Sequence, residues 1–252
     1  MGHRESTLLG SAMGAARPMA ALPPWLAGAI AAACENISHN LNGQRLGRKG
    51  RLTRERILSA AIELLDGSSD DPFTLGNVAK RSGLGMTSLY NYFTDLTELM
   101  LAVLEPVMAT AENTYLSLLR ERWPDEELAE HCYAFVRAYH GFWLRHSRLL
   151  HFRNAMADQR DQRMFAHRVN STRPIIELLV DQMDVKLTPG HPSTSMATII
   201  MTGVERAVTI VTDMDIREVA GIPQDLDVDR YLVPGARLME LAIRDVRTHN
   251  SL

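Results

Sequence analysis

From Leu52 onward, apolar residues recur at the spacing that places them on one face of an α-helix. One such stripe takes positions i, i+3, i+4, i+7 and i+8 of a single segment and consists of Ile57, Ala60, Ala61, Leu64 and Leu65. The alternation of apolar and polar residues that is typical of a half-buried strand does not occur in the sequence. The pattern therefore predicts an all-α protein.

Breaks in this pattern divide the predicted helices. The segment 67–72 is a loop by composition, and Thr74 after it is a suitable N-cap for a helix over 75–82. Glycines at 83 and 85 separate that helix from a second short one over 86–93, and a capping signal at 94–98 starts a long helix that runs to about 119. Further amphipathic helices are predicted over 125–146, 148–157, 161–183, 193–213 and 228–248.

Three regions follow from this division. Residues 1–44 are rich in Ala, Gly, Ser, Met and Pro without a long amphipathic period, so we expect a poorly ordered leader with room for one short helix over about 25–37. The short helices of 45–96 are expected to form a helix-turn-helix domain. The remaining region, 97–252, is expected to form a larger helical domain.

Charge is distributed unevenly along the chain. The net charge of −3 and the pI of about 6.3 argue against a protein that coats nucleic acid indiscriminately. One basic arm nevertheless contains a single acid, Glu55, among the basic residues Arg45, Arg48, Lys49, Arg51, Arg54 and Arg56. Such a run is usually a solvated surface or a tail. Its position at the beginning of the predicted helix-turn-helix domain favours phosphate binding instead.

Cysteine content and hydropathy exclude other classes. Cys34 and Cys132 are far apart and form no C-x-x-C pair, so we expect no disulfide framework, no cysteine-rich metal site and a reducing, cytoplasmic location. No apolar run approaches the roughly 18–20 residues that span a bilayer, so we expect no membrane association. We also expect no cofactor and no bound metal.

Residues 74–93 are typical of two short helices around a glycine turn. Small Ala79 allows the helices to approach, Gly83 supplies the turn, and Leu89 and Phe93 are spaced to point inward. In such a unit the second helix lies in the major groove, where it presents its N-terminal and outward residues to bases and phosphates. Those residues are Met86, Thr87, Ser88, Tyr90, Asn91 and Tyr92.

The stretch 54–99 resembles the DNA-binding domain of the TetR family of transcriptional regulators. The resemblance is carried by residues 57–61 (Ile-Leu-Ser-Ala-Ala), 73–75 (Phe-Thr-Leu), 78–79 (Val-Ala), Gly83 and 88–93 (Ser-Leu-Tyr-Asn-Tyr-Phe). It implies DNA-backbone contacts for Ser88, Tyr90 and Tyr92, base contacts for Met86 and Thr87, and a phosphate anchored by Thr74.

Two positions depart from the family pattern. Met86 stands where many members carry a lysine, and Leu96 stands where many carry a phosphate-binding lysine. We therefore expect the electrostatic affinity for DNA to depend more heavily on Arg48, Arg51 and Arg54.

The resemblance also implies how the protein works. It implies a homodimer through the last two helices, 193–213 and 228–248, that binds a palindromic operator, and a repressor that a small apolar or aromatic effector releases from it. An effector that favours DNA binding fits the same residues, and the last two helices could instead fill a core within one protomer.

An effector cavity is expected between the long helix predicted to run to about residue 119 and the helices after it. Its candidate liners are Met100, Val103, Leu104, Val107, Phe135, Tyr139, His140, Trp143, Met164 and Met183. For each of them, ordinary core packing is the alternative.

Two other classes of protein remain as alternatives. Histidines at 131, 140, 146 and 151 lie close in sequence, but no catalytic motif accompanies them, so we do not expect an enzyme. A helical scaffold that contacts only proteins would lack salt-dependent, sequence-selective DNA binding.

Overall fold

The computed structural model describes residues 28, 30–32, 34, 39–41, 43–65, 71–186, 188, 190–223 and 225–250. Of residue 250, only the backbone is described. Across these residues the protein is all-α, which confirms the predicted fold class. Within the same ranges, extended pairing is limited to one isolated bridge between His39 and Arg45. No helix in the described part is long and apolar enough to cross a bilayer.

The helices follow the predicted pattern closely. They are α1 (Arg48–Leu65), α2 (Leu75–Arg81), α3 (Met86–Leu89), α4 (Leu96–Ala109), α5 (Leu128–Arg145), α6 (Ser147–Asp158), α7 (Gln162–Gln182), α8 (Pro192–Thr212), α9 (Met214–Val219) and α10 (Asp229–Asn250). The second motif helix is shorter than predicted, because the segment after Leu89 continues as turns. Helix α9 was not predicted, and most of the loop expected over 67–72 lies outside the described residues.

Side-chain caps fix where several helices begin. The Asp95 carboxylate accepts a hydrogen bond from the Glu98 amide at 2.8 Å, and the Glu98 carboxylate accepts one from the Thr94 amide at 2.6 Å. Asp161 caps α7 by accepting from the amides of Arg163 and Met164. These bonds satisfy amides that have no partner within the helix, which explains why the predicted starts are accurate.

The long helix predicted to reach residue 119 is interrupted. Pro106 lies inside α4 and cannot donate a backbone hydrogen bond, and the regular helix ends at Ala109. A π-helical segment, Glu112–Leu116, and a 3-10 turn, Ser117–Leu119, continue the chain. Tyr115 of the π-helical segment is buried and packs edge-on against Tyr139 and Phe142, with ring centroids 5.2 Å apart in both pairs.

Part of the segment predicted as a poorly ordered leader belongs to the core. Residues 1–27 lie outside the described residues, but Gly28, Ile30–Ala32 and Cys34 are helical, and the side chains of Ile30 and Cys34 are buried against the main cluster. Burial raises the pKa of the Cys34 thiol, so this side chain is a neutral packing group at ordinary pH. These positions fall within the short helix allowed over about 25–37, and two of their side chains pack into the core despite the alanine-rich composition; the leader over 1–44 otherwise stays a prediction.

The last long helices pack inside the protomer. Helix α10 packs against α5 and α8, and α8 also packs against α7. Val204 and Val208 of α8 face this intramolecular core, as do Met239 and Ile243 of α10. The alternative of an intramolecular core therefore holds for one face of each of these helices.

A buried arginine fastens the end of α10 to two other segments. Arg247 donates to the carbonyl of Gln182 at 2.7 Å and to that of Trp123 at 3.0 Å, and it also bonds the carboxylate of Asp125. The Gln182 side chain in turn donates to the carbonyls of Leu119 and Glu121 at 3.0 and 2.7 Å. This network joins the end of the 3-10 turn, the end of α7 and the end of α10.

Candidate nucleic-acid interface

A tight glycine turn sets the angle between α2 and α3. Gly83 takes φ +66°, the amide of Leu84 donates to the carbonyl of Ala79 at 2.8 Å, and the amide of Gly83 donates to that of Lys80 at 3.1 Å. This pair of bonds is the Schellman arrangement, which satisfies the last carbonyls of α2 and requires the left-handed backbone that glycine adopts at low cost. The turn is therefore fixed by the backbone itself.

Helix α3 separates buried from exposed side chains sharply. Leu89 and, just after the helix, Phe93 are fully buried against Ile57 and the rest of the core. Met86, Thr87, Ser88 and Tyr90 are exposed, with 48% of the Tyr90 side chain accessible. The structure thus presents two hydroxyls, a phenol and a thioether side by side on a surface held by two core anchors.

Two residues predicted beside them are less accessible. Tyr92 is half-buried and packs against the core, which leaves only part of its ring toward solvent. Asn91 is also half-buried, and its backbone carbonyl accepts a hydrogen bond from the amide of Leu41 at 3.2 Å. At the start of α2, Thr74 is exposed while its hydroxyl accepts from the Asn77 amide at 3.2 Å, so it is the N-cap of that helix.

The arginines of the basic arm have different surroundings. Arg48 is exposed, and Arg51 is half-buried with its guanidinium 3.3 Å from the carbonyl of Leu46. Arg54 is only 8% exposed, and its guanidinium carbon lies 4.4 Å from the centroid of the Phe93 ring. Burial lowers the pKa of Arg54, while Cys34, Glu98 and Glu105 act in the opposite direction. The expectation that Arg54 contacts phosphates is therefore corrected.

The helical period contains the signal that sequence reasoning missed for Arg54. Position 54 lies three, four and seven residues before Ile57, Leu58 and Ala61, so it continues the buried stripe toward the start of α1. An aromatic ring below that position can hold a guanidinium by cation–π contact. The charge of Arg54 alone suggested phosphate binding, whereas its position on the buried face of α1 indicates that it belongs to the core.

Further exposed cations belong to the basic arm and to α2. Arg45, Lys49 and Lys80 are all exposed. Residues 39–41 turn back along residues 43–45: the Asn40 side chain accepts from the Gln44 amide at 2.8 Å, and the amide of Leu41 donates to the carbonyl of Asn91 after α3. The turn places part of the basic arm beside the end of α3.

The residues predicted to line an effector cavity lie mainly in packed core. Seven of them are at most 1% exposed: Met100, Val103, Leu104, Val107, Phe135, Met164 and Met183. Tyr139 and Trp143 border a void of about 10 Å³, which has room for about one water molecule. His140 is buried, which lowers its pKa. That these residues surround one effector cavity stays a prediction.

A larger cleft of about 580 Å³ opens between α6, α7 and α8. Its wall carries three acidic and two basic side chains together with several threonines: Asp158, Glu205, Asp213, Arg168, Arg206, Thr172, Thr198, Thr202 and Thr209. Arg168 and Asp158 form an ion pair at 2.8 Å. These residues carry no signal along the chain, because their three helices are separate in sequence and no motif joins them.

At one end of the cleft, His151 lies between a hydroxyl and a carboxylate. Its Nε2 is 3.2 Å from Oγ1 of Thr212, and its Nδ1 is 3.3 Å from Asp213. Nucleophilic catalysis needs a ring nitrogen that accepts the hydroxyl proton, but the Thr212 hydroxyl donates to the carbonyl of Val208 at 2.8 Å and is buried. The arrangement of Thr212, His151 and Asp213 therefore does not favour the alternative that the protein is an enzyme. Within the described ranges, no group of three or more His, Cys, Asp or Glu side chains could hold a metal ion.

Comparisons with known proteins give little beyond this geometry. No model of a protein family matches the chain, and no curated protein matches it. Among solved structures, the chain is similar to a crystal structure, at 1.90 Å resolution, of a TetR family transcription regulator from Marinobacter aquaeolei VT8. The similarity covers 77% of this chain and 97% of that chain, with 19% identity and a TM-score of 0.44. The function is therefore inferred from this chain's own residues.

Proposed function

We propose that the protein is a sequence-specific DNA-binding transcriptional regulator, a dimeric repressor that a small-molecule effector releases from its operator. The observation that carries the proposal is the surface of α3, where Met86, Thr87, Ser88 and Tyr90 face solvent while Leu89 is fully buried. An exposed helix of hydroxyl-bearing residues after a tight turn fits the major groove of duplex DNA.

The roles of individual side chains follow from their chemistry. Thr87 and Met86 lie at the start of α3, where a methyl or methylene group can contact a thymine methyl and a hydroxyl can bond a base edge. The Ser88 and Tyr90 hydroxyls can donate to phosphate oxygens, which fixes the helix in register. Arg48 and Arg51, with Arg45 and Lys49, would supply the salt-sensitive attraction to the DNA backbone.

Dimerisation is proposed through the outer faces of α8 and α10. Ile199 of α8 is 72% exposed, and Val233, Leu238 and Leu241 of α10 are also exposed. The inner faces of α8 and α10 already pack within the protomer, so these exposed apolar side chains form a second, outer face on the same two helices. A second copy would cover this face in a two-fold four-helix bundle.

Lysine substitutions on this outer face test the dimer. Ile199→Lys combined with Leu241→Lys is expected to convert the dimer into a folded monomer, because two charges would be buried at a symmetric interface. Sedimentation of the purified protein measures the mass, and circular dichroism checks the helix content. Val219→Lys, at an exposed apolar position on α9, is the control that should leave the dimer intact. A wild-type monomer, or a double variant that stays dimeric, would contradict the proposed interface.

Three contacts connect the segment just before α2 and the beginning of α4 to the helices of the cleft. Phe73 packs edge-on against Phe152 of α6 at 5.1 Å between ring centroids. The Thr97 hydroxyl donates to Asp161 at 2.5 Å, and Arg163 donates to Asp95 at 2.9 Å. Because α6 and α7 line the cleft, a ligand that favours another arrangement of these helices would also shift α3 and its spacing from the second α3 of the dimer.

Selection of DNA by the purified protein tests the function directly. Wild-type protein is incubated with a random duplex library, and bound fragments are recovered and sequenced over several rounds. We expect enrichment of one two-fold symmetric site whose half-sites lie about 34–36 Å apart, or one turn of B-DNA. Affinity for that site should fall steeply with salt. Recovery of fragments without a shared sequence would overturn the proposal.

A further inference from the structure

Arg153 of α6 is a buried cation next to the cleft. Only 3% of the residue is exposed, and its guanidinium carbon lies 5.6 Å from the centroid of the Trp143 ring. Tyr115 and Tyr139 line the same small void as Arg153 and Trp143. The faces of aromatic rings attract a cation, but they do not satisfy the N–H groups of the guanidinium, which need other hydrogen-bond acceptors.

Those donors meet mainly neutral groups. The Asn154 side-chain oxygen accepts from both Nε and Nη2 of Arg153, at 3.1 and 3.0 Å, and the Ser171 hydroxyl accepts from Nη1 at 3.3 Å. The carboxylate of Glu205 forms an ion pair with Nη2 at 3.7 Å, which is longer than a hydrogen bond. A buried arginine is normally compensated by a carboxylate in direct contact, often with two parallel bonds.

The Nε–Nη2 edge of Arg153 is the edge that a carboxylate binds with two oxygens. At present a single amide oxygen from Asn154 occupies it. Asn154 and Glu205 both line the cleft of about 580 Å³, and Thr172 lines both this cleft and the void beside Arg153. The guanidinium of Arg153 therefore lies behind two residues of the cleft wall, Asn154 and Glu205, and the cleft is large enough for a small organic molecule.

We propose that this cleft binds a small organic carboxylate, whose carboxylate group displaces the Asn154 oxygen from Arg153. The body of the ligand would lie against Ala155, Val169 and Ile176, the apolar part of the cleft wall. This assigns a chemical class, a monocarboxylate with an apolar or aromatic body, to the effector. Its role as an effector rests on the proposed function, whereas the binding itself does not.

The charges of the cleft favour one anionic group over several. Arg168 is already paired with Asp158, and Asp213 and Glu205 face the same space. Beyond Arg153, the wall offers such a ligand the exposed cation of Arg206, so a ligand with two or more negative charges would meet three acids, Asp158, Glu205 and Asp213, with few cations to balance them. A single planar carboxylate satisfies the under-compensated Arg153 and leaves the other pairs in place.

Direct binding measurements test the site without DNA. The full chain is titrated by calorimetry with benzoate, 3-phenylpropanoate and octanoate, and with the primary amide of each acid. We expect at least one acid to bind one molecule per chain, with its amide at least about tenfold weaker because the amide cannot form the charge-assisted pair.

Variants of the two contact residues separate binding from folding. Arg153→Gln removes the cation, and Asn154→Asp places a resident carboxylate on the same edge at unchanged volume. Both are expected to abolish the preference for the acid, and Asn154→Asp should do so with the wild-type melting temperature or a higher one. Arg206→Gln removes the exposed arginine of the cleft wall, the other cation that a carboxylate could reach, and it should retain the preference for the acid if Arg153 is the partner of the carboxylate.

Each outcome bears on the proposal. It is overturned if no acid of the panel binds, if acids and amides bind equally, if Asn154→Asp keeps the preference, or if Arg206→Gln removes it. The proposed function is tested separately, because DNA selection can succeed while no acid binds. Conversely, acids can bind a protein that selects no DNA, which would leave the carboxylate site without an effector role.

Discussion

Tyr90→Ala is expected to weaken binding to the selected operator by about 5- to 150-fold, the range that about 1–3 kcal/mol of lost contact energy corresponds to. The phenol is about half exposed and contributes little to the core, so the variant should fold normally. Its loss removes a hydroxyl and a ring from the surface of α3 that would face the DNA. Fluorescence anisotropy with a labelled operator measures the change.

Controls distinguish a local contact from a general loss of binding. Leu144→Ala removes an exposed side chain from α5, away from α3, and should leave the affinity unchanged. Arg48→Ala should lower the slope of log affinity against log salt by about 0.9, the value for one lost phosphate contact. If Tyr90→Ala binds as tightly as the wild type, α3 does not lie in the groove as proposed.

Arg247→Met is expected to lower the free energy of unfolding by about 3 kcal/mol, because buried carbonyls would lose their donor. Arg247 is only 6% exposed, and its guanidinium bonds the carbonyls of Gln182 and Trp123 and the carboxylate of Asp125. Methionine keeps most of the aliphatic volume, so the loss reports the hydrogen bonds rather than a cavity. Urea unfolding, followed by circular dichroism at one fixed protein concentration, measures the change.

The matched control lies on the same helix. Arg230→Met changes an exposed arginine near the start of α10 and should alter the stability by less than about 0.5 kcal/mol. If Arg247→Met is as stable as the control, the three segments that meet at Arg247 are held together by apolar packing alone. In that case the hydrogen bonds to Gln182 and Trp123 contribute nothing measurable.

The helices and their beginnings could be predicted because their causes are local. The stripe that contains Ile57 and Ala61 repeats every turn, and cap residues such as Thr74 and Asp95 lie within three residues of the amides they bond. The turn at Gly83 is likewise fixed by neighbouring residues. The candidate surface of α3 could therefore be identified from a short stretch of sequence.

Positions that depend on distant partners were predicted less well. Arg54 was assigned to a phosphate because its sequence neighbours are basic, whereas in the structure Phe93, far along the chain, lies under its guanidinium. The side chains of Ile30 and Cys34 were assigned to a leader, but helices that follow later in the chain bury them. In both cases the local composition was misleading because the deciding contact came from another segment.

By itself, the sequence determined the all-α class, most helix boundaries and the exposed residues of α3, since each depends on interactions within a few turns of one helix. Only the tertiary structure decided which helix faces meet. It joined Asn154, Thr172 and Glu205 of three separate helices into one cleft and placed Arg153 behind it. Periodicity shows which face of a helix is apolar but not which other helix covers it, so a site built between helices has no signature along the chain.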